Sequence, residues 1–257
     1  TGVQTCALPI STRDLYDASA SRWRRDQALL LSDFTARPRV LEVLGPVRGL
    51  ELWDLGCGEG YMARALVKAG ARVVHGYDSS EQMVTRAQVA SDPGGIALFG
   101  VRDLADPAQW PEGHCDGALA VFLFNYLTLA QMEGVLRGVR QALRPGGRFV
   151  FTVPHPLFPF LCHQRAPFYF DPAGHLYTNS LDVTFEGEIW RRDGQRVAVR
   201  CLHKTMEAYF SALERSGWLG MPHVEELAVS EAMLREDPSF FGPLAGLPLH
   251  LLFALTT

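Results

Sequence analysis

The sequence predicts an α/β fold in which helices cover both faces of a mostly parallel sheet. Two observations predict this class. From about residue 50 to residue 153, short apolar runs alternate with helical segments, as in repeated strand and helix units. The chain has 257 residues, 47% hydrophobic and 20% charged, which suits one globular domain with one core. We expect that domain to span residues 11–257, because residues 1–10 look like a non-native or disordered leader.

The strands of the predicted sheet are short runs of apolar and β-branched residues. Five of them are expected before residue 154, at 50–55, 72–77, 96–101, 117–123 and 148–153. The helices between them are expected near residues 60–69, 80–90 and 130–143. The third helix should end at Arg144-Pro145-Gly146-Gly147, because proline and glycine do not continue a helix.

Segments on either side of this core predict a lid and an insertion. Residues 11–46 carry aromatic and apolar positions among charges, which indicates two or three amphipathic helices that could cover the site. Residues 155–203 form a long insertion, in which two strand-like runs joined around Asp193-Gly194 predict a β-hairpin cap. The remaining elements are the two hairpin strands, a helix and two closing strands, expected at 184–190, 196–202, 205–216, 223–229 and 249–256.

Charge and cysteine content exclude several classes of function. The formal net charge of −4 and the pI near 6.1 give no attraction to polyanions, so no nucleic-acid partner is expected. The 5 cysteines form no Cys-x-x-Cys pair and no cluster with histidine, so neither disulfides nor a metal site is predicted, which suits the cytoplasm. No apolar run approaches the roughly 20 residues of a membrane helix. We expect a cytoplasmic protein with a small-molecule substrate; the oligomeric state is left open.

One glycine-rich segment points to a ligand site. Leu52-Trp53-Asp54-Leu55-Gly56-Cys57-Gly58-Glu59-Gly60 places an acid at the end of a strand and three glycines in the turn before a helix. Glycine lets the backbone turn tightly and approach a ligand, and the N–H groups at a helix start face the space above the strand ends. Asp78 ends the next strand, where its carboxylate can accept hydrogen bonds from a ribose diol.

The spacing of the glycines separates this turn from a dinucleotide-binding turn. The dinucleotide fingerprint requires a glycine at position 61, which is Tyr61, whereas the third glycine here is Gly60. With Asp54 ahead of the glycines, the site favours a ligand with a charged amino-acid end over a pyrophosphate. A nucleoside that carries an amino acid fits these features.

The same segment resembles the first motif of the class I S-adenosylmethionine-dependent methyltransferases. The resemblance runs from about residue 50 to 153, and the segment 248–256 is similar to the antiparallel seventh strand of that family. It implies a Rossmann-like three-layer sandwich with a mostly parallel seven-stranded sheet and an antiparallel last strand. It also implies S-adenosyl-L-methionine as the cofactor and S-adenosyl-L-homocysteine as the product.

The resemblance implies roles for residues that match the family's motifs. The glycine turn would hold the methionine part of the cofactor, with Glu59 as a further contact, and the acid after the second strand would bind ribose. The loops after the second and third strands would lie beside adenine, and the segment after the fourth would face the sulfonium. The implied cofactor-binding residues are Asp54, Gly56, Cys57, Gly58, Gly60, Asp78, Ser79, Met83, Asp103, Leu104, Phe122 and Phe124.

Two histidines are candidates for acceptor chemistry. His155 follows the fifth strand, and His203 follows the second hairpin strand, so each is a candidate general base or polar contact to the acceptor. Each can equally cap a turn or a helix. The expected acceptor-binding residues are the aromatic residues and one amide of the lid, the fourth-strand loop and the insertion, namely Tyr16, Trp23, Asn125, Tyr126 and Tyr169.

These features predict methyl transfer from S-adenosylmethionine to a small molecule, with O-, N- and C-methylation all open. A nucleic-acid methyltransferase of this fold would carry a different motif after the fourth strand than Phe124-Asn125-Tyr126. A dehydrogenase is disfavoured by Tyr61 and by the lack of a Tyr-x-x-x-Lys pair. A non-catalytic protein that binds S-adenosylmethionine and regulates a partner remains the alternative, because methyl transfer has no chemically obligatory residue.

Overall fold

A computed structural model describes residues 11–23, 27–90, 94–162 and 166–257. Ten helices lie in these ranges, apart from short 3₁₀ turns: α1 Thr12–Trp23, α2 Leu31–Thr35, α3 Arg37–Leu44, α4 Tyr61–Lys68, α5 Glu81–Ala90, α6 Leu129–Ala142, α7 Phe158–Leu161, α8 Met206–Arg215, α9 Glu231–Glu236 and α10 Pro238–Phe241. The same ranges contain ten strands: β1 Glu51–Leu55, β2 Val73–Asp78, β3 Ala97–Val101, β4 Cys115–Val121, β5 Leu143–Pro154, β6 Phe168–Asp171, β7 Thr184–Trp190, β8 Arg196–Leu202, β9 His223–Leu227 and β10 His250–Thr256.

Seven strands form the central sheet in the order β3-β2-β1-β4-β5-β10-β9. The first five in this order are mutually parallel, and β10 runs antiparallel to both of its neighbours. Strand β4 is buried along almost its whole length, as expected for a parallel strand covered on both faces. The predicted α/β class, with a mostly parallel seven-stranded sheet and an antiparallel last strand, is confirmed.

Helices pack on both faces of the sheet and make the fold three-layered. On one face, α6 and α8 cover an aromatic core in which the rings of Phe151 and Phe253 stack at 4.7 Å across β5 and β10. On the other face, α3 and α4 cover Leu52, Val74 and Val150. Burying such side chains is worth about 1.5–3 kcal/mol each, so the sheet and its helices form the rigid base of any site above it.

The insertion between β5 and α8 contains a second sheet, ordered β6-β7-β8. The predicted hairpin of β7 and β8 is present, and β6 pairs with β7 as a third strand that the sequence analysis did not predict. Gly187 on β7 faces the β6 backbone so closely that an added Cβ would lie 2.1 Å from the Tyr169 carbonyl oxygen. This sheet packs with α1, α2 and α10 in one apolar cluster, so the lid and the insertion share a core.

Most predicted elements lie within one or two residues of their expected bounds. Strand β5 is longer than expected because its first part, which includes Pro145-Gly146-Gly147, hydrogen-bonds to the Thr257 backbone at the chain end. The predicted leader, 1–10, lies outside the described residues. None of the helices in the described ranges has the length and apolar character needed to cross a lipid bilayer.

Candidate functional site

A cavity of about 650 Å³ opens above the carboxyl ends of β1, β2 and β4. This edge is where parallel α/β sheets bind ligands, and the volume is typical of a small-molecule pocket. The central sheet supplies its floor, α1 to α3 supply one side, and the three-stranded sheet supplies another. The predicted site residues that line it are Asp54, Gly56, Cys57, Gly58, Asp78, Ser79, Met83, Asp103, Leu104, Phe122, Asn125, Tyr126, Tyr16 and Trp23.

The glycine turn after β1 brings bare backbone to the cavity wall. Gly56 and Gly58 have φ values of +74° and +53°, a region that side chains rarely adopt. The N–H groups of Gly56 and Cys57 both donate to the Tyr77 carbonyl of β2, at 2.8 and 3.0 Å. Apart from Gly58 and its two chain neighbours, no atom of the described residues lies within 4 Å of where a Gly58 Cβ would be, so the wall here is open to a ligand.

Gly60 has a different position. It caps the N-terminus of α4 with a φ of +83° and does not line the cavity. A Cβ at this position would meet the Phe99 ring at 2.9 Å and the Ala87 methyl at 3.1 Å. Gly60 is therefore needed for the packing of α4 against α5 and β3, rather than for contact with a ligand.

Asp54 is a buried carboxyl group that is only partly satisfied by the protein. It is 1% exposed, and its Oδ2 has no hydrogen-bond partner among the described residues. Burial raises the pKa of Asp54 to about 7, against the lowering effects of a backbone hydrogen bond from Ala63 and of the Arg37 charge. A buried carboxylate of this kind is stabilised by a cation, so the position is suited to a ligand's ammonium group.

Asp78 is oriented at the end of β2 by two backbone hydrogen bonds. Its Oδ2 accepts the Gly58 N–H and its Oδ1 accepts the Ser80 N–H, each at 2.9 Å. Burial raises the pKa of Asp78, and these backbone hydrogen bonds oppose the rise. Since a carboxylate oxygen accepts more than one hydrogen bond, Asp78 retains acceptor capacity toward the cavity.

The loops after β2 and β3 form one end of the cavity. Met83 is 1% exposed and packs at this end together with the buried Leu104. Asp103 is held by the Ala105 N–H at 3.1 Å and lies 3.5 Å from the Arg13 guanidinium. This end combines apolar surface with a carboxylate, which suits a flat heteroaromatic group that carries an amino substituent.

The segment after β4 crosses the middle of the cavity. Phe122 has a φ of +60°, an uncommon conformation for a bulky residue, and its ring lies 5.8 Å from the Arg37 guanidinium carbon. Asn125 is 2% exposed and its Oδ1 has no hydrogen-bond partner among the described residues. Phe124 is fully buried against Phe151 and does not line the cavity, because the 3₁₀ turn directs it into the sheet core.

Helix α1 is bound to the rim of the cavity by polar contacts. The Tyr16 hydroxyl donates to the Tyr126 hydroxyl at 2.5 Å, and the Ser80 hydroxyl donates to Asp17 Oδ1, also at 2.5 Å. Trp23 packs on the Tyr16 ring at 5.3 Å between centroids. These contacts place α1 at the rim of the cavity, beside the loops after β2 and β4.

The insertion contributes an apolar wall. Phe168, Phe170, Ile189 and Val199 line the cavity from β6, β7 and β8. Tyr169 does not line it, because successive side chains of a strand point to opposite faces and its two neighbours take the inner face.

The two histidines expected to act on the acceptor lie outside this cavity. His155 is 1% exposed, donates from Nε2 to Glu226 at 2.9 Å and accepts the Leu157 N–H at Nδ1. His203 donates from Nε2 to the Tyr177 carbonyl at 2.8 Å, within a group of aromatic rings. Burial lowers the pKa of both histidines. Each histidine is thus hydrogen-bonded to another residue of the chain and does not line the cavity.

Arg37 and His250 are among the cavity residues that the sequence analysis did not predict. Arg37, at the start of α3, hydrogen-bonds Asp33 at 3.0 Å and also Ser32, and it lowers the pKa of Asp54. His250, the first residue of β10, is 1% exposed and lines the cavity. Neither belongs to a motif; only the arrangement of α3 and β10 around the strand ends brings them to the site.

The chain is similar to known proteins over the part that contains the glycine turn. A family model described as a methyltransferase domain matches residues 53–147. An uncharacterized protein of Haemophilus influenzae is 26% identical over 186 residues, which cover 70% of this chain and 63% of that protein. Nocamycin O-methyltransferase of Saccharothrix syringae is 33% identical over 123 residues, which cover 46% of this chain and 42% of that enzyme.

The similarity to one solved structure extends over most of the chain. The S-adenosylmethionine dependent methyltransferase from Mesorhizobium loti is 28% identical, with a TM-score of 0.65 over 86% of this chain and 96% of that one. The chain spans less than two thirds of the length of either curated relative.

Proposed function

The chain belongs to the class I S-adenosylmethionine-dependent methyltransferase family, and from this premise we propose that it methylates a small molecule with S-adenosyl-L-methionine as cofactor. The observation that carries the proposal is the buried Asp54 carboxyl, whose Oδ2 has no partner among the described residues and which opens on the cavity beside a glycine turn. A cofactor with an ammonium group supplies the cation that this position lacks.

The charged end of the cofactor fits the residues around Asp54. Its ammonium group pairs with Asp54, and its carboxylate pairs with Arg37, whose charge acts directly on Asp54. The bare backbone of Gly56 and Gly58 leaves room for the chain between these charges and the sulfur. A pyrophosphate would instead meet two buried carboxyl groups at this turn, Asp54 and Asp78, and would be repelled.

The nucleoside end of the cofactor fits the residues after β2 and β3. Asp78 accepts the ribose hydroxyls with the acceptor capacity that its two backbone bonds leave. Met83 and Leu104 contact the faces of the adenine ring, Ser79 lies beside it, and Asp103 accepts from its amino group. Phe122 and Cys57 complete the wall between the two ends.

The chemistry is a displacement at a methyl carbon, for which the cofactor supplies a sulfonium leaving group. The protein's own contribution is to align the acceptor and to exclude water. Asn125 and Tyr126 line the middle of the cavity, where they would contact the acceptor. Tyr16 and Trp23 of α1 line the side that faces them. His155 and His203 have no role as bases in this proposal, because both are engaged in hydrogen bonds elsewhere.

A small acceptor is favoured over a macromolecular one. Among the described residues, α1 and the three-stranded sheet line two sides of the cavity, which suits a small molecule better than a polymer chain. The net charge of −4 offers no attraction to nucleic acid. The nocamycin relative is named as an O-methyltransferase, which supports an oxygen acceptor here as well. The non-catalytic alternative is not favoured, since the curated relatives whose names state an activity are methyltransferases.

The proposal is tested by incubating the protein with methyl-labelled S-adenosylmethionine and a panel of phenols, amines and activated carbon acids. We expect label in the product of one class, together with S-adenosylhomocysteine. Asp78→Asn should raise the KM for the cofactor at least about tenfold, because the amide loses charge-assisted hydrogen bonds to ribose. Cofactor binding with no product from any class would favour the non-catalytic alternative, and absence of cofactor binding would contradict the proposal.

A further inference from the structure

His250 occupies a part of the cavity wall that the proposed cofactor contacts do not use. It is the first residue of β10 and lies between two aromatic residues of the same wall. Its ring is 4.9 Å from the Phe122 ring and 5.2 Å from the Phe168 ring, measured between centroids. His250 therefore lies where the central sheet meets the apolar wall of the insertion, on the acceptor side of Phe122.

The hydrogen-bonding capacity of His250 is unused within the described residues. The residue is 1% exposed, and neither Nδ1 nor Nε2 has a hydrogen-bond partner there. Leaving both nitrogens of a buried imidazole without partners is unfavourable, because each has lost its hydrogen bonds to water. Buried polar groups in proteins are nearly always satisfied, so a ligand of the cavity is the natural partner.

The charge state of His250 limits the chemistry of that ligand. Burial lowers the pKa of His250 to about 3, and the Arg37 and His155 side chains act in the same direction. A backbone contact at Leu249, which does not meet hydrogen-bond geometry, opposes this lowering of the pKa. The imidazole is therefore neutral at physiological pH, with one nitrogen that donates and one that accepts. A charged group on the ligand could also hydrogen-bond this imidazole, but it would lose its hydration in the buried, apolar wall around His250. A neutral polar group avoids that cost.

We propose that His250 is an acceptor-binding residue, and that the acceptor is a planar, largely apolar molecule with a hydroxyl group bonded to this imidazole. This inference rests on the proposed function and goes further by naming the acceptor class. A hydroxyl both donates and accepts, so it satisfies either imidazole tautomer. The aromatic rings of Phe122, Phe168 and Phe170, with the side chains of Ile189 and Val199, supply flat apolar surface for the rest of the molecule.

The inference is tested on protein saturated with S-adenosylhomocysteine, so that loss of cofactor binding would be detected separately. Two matched pairs of probes, phenol with anisole and 2-naphthol with 2-methoxynaphthalene, are titrated calorimetrically into the wild type and His250→Phe. The ratio of affinities, hydroxyl over methyl ether, should fall about tenfold in His250→Phe, because the apolar ring keeps the shape and loses one buried hydrogen bond. His250→Gln, which can donate and accept, should recover part of the ratio.

A second readout does not depend on the folding of any variant. In the wild type, ¹⁵N chemical shifts of the His250 imidazole should move when 2-naphthol is added and remain in place with 2-methoxynaphthalene. The same affinity ratio in the wild type and His250→Phe, unchanged imidazole shifts with 2-naphthol, or no binding of either pair at millimolar concentration would overturn the inference. Each of these results would leave cofactor binding, and hence the proposed function, intact.

Discussion

At the buried carboxyl group of Asp54, protonation would compete with the binding of a ligand's ammonium group. Without ligand, burial raises its pKa to about 7, so the carboxyl is largely protonated below that pH. Pairing with an ammonium requires the ionised form, and the proton must leave before the ligand's charge is satisfied. Binding of the proposed cofactor is therefore linked to pH through Asp54.

This linkage predicts a pH profile for S-adenosylhomocysteine binding. Because a group whose pKa is raised holds its proton below about pH 7, the Kd should rise about tenfold for each pH unit below that value and level off above it. Isothermal titration between about pH 5 and 8 measures the profile. A Kd that does not change across this range would contradict the assignment of Asp54.

The Asp54→Asn variant isolates the role of the charge. It should bind S-adenosylhomocysteine at least about tenfold more weakly at pH 8, and its Kd should depend less on pH than that of the wild type, because the amide does not ionise. Its free energy of unfolding without ligand should exceed that of the wild type at this pH: a raised carboxyl pKa means that ionisation opposes folding there. Asp171→Asn, an exposed residue on β6, is the control and should change neither property.

Phe122 offers a test of backbone strain at the site. Its φ of +60° costs a residue with a Cβ about 1–2 kcal/mol. Phe122→Gly should therefore be more stable to urea than Phe122→Ala, by about 0.5–1 kcal/mol after the greater chain entropy of glycine is allowed for. At Ala118, which lies in the regular part of β4, substitution by glycine should instead destabilise. Equal stability of the two Phe122 variants would show that no strain is stored there.

Individual site residues could be predicted from the sequence where they belong to a contiguous motif. Asp54, Gly56, Gly58 and Asp78 stand at fixed positions relative to strand ends, so their approach to one cavity follows from the parallel sheet. Arg37 and His250 could not be predicted in this way, because each is an isolated residue brought to the site by long-range packing. His155 and His203 misled for the opposite reason: their place in the chain is suggestive, but hydrogen bonds to Glu226 and Tyr177 engage them.

Helix α1 is the element that closes the site. Tyr16 and Asp17 each contact a residue after a central strand, Tyr126 after β4 and Ser80 after β2. The helix therefore spans the two strand ends between which the cofactor is proposed to lie, and its opening is the expected route for exchange of ligand.

Tyr16→Phe tests this role with the aromatic ring retained. Loss of the 2.5 Å hydroxyl contact should speed amide hydrogen exchange in α1 and raise the dissociation rate of S-adenosylhomocysteine about three- to tenfold. Tyr177→Phe is the matched control, because it loses a 2.8 Å bond from the Met206 N–H outside the cavity. If both variants release the ligand at the same rate, α1 does not act as a lid.

Elements with a clear periodicity were predicted well, and short ones were not. Strands β7 and β8 were predicted at their observed bounds, since alternation and an Asp-Gly turn specify a hairpin. Strand β6 was missed because Phe168-Tyr169-Phe170-Asp171 is too short to show a period, and its pairing depends on the close approach of Gly187. Helices α9 and α10 were missed for the same reason of length.

The central sheet has two segments above its ligand edge, the N-terminal helices and the insertion, and their apolar side chains form one core. The lid and the insertion pack together in a cluster separate from the two cores that flank the sheet. The half of the cavity in which we propose the cofactor is lined mainly by the loops after β1, β2 and β3, whereas the proposed acceptor half is lined by the insertion and β10. Sequence motifs therefore predict the first half, and the second half is specific to this chain's tertiary packing.

A crystal structure with S-adenosylhomocysteine tests the central claim most directly, namely that the glycine turn and its two carboxyl groups hold this cofactor. We predict ribose hydroxyls within hydrogen-bond distance of Asp78 and the ammonium group within hydrogen-bond distance of Asp54, with the sulfur facing Phe122 and the space toward His250 unfilled. Ligand density against Phe168 and Phe170 instead, or contacts that leave both Asp54 and Asp78 without the ligand, would contradict the account.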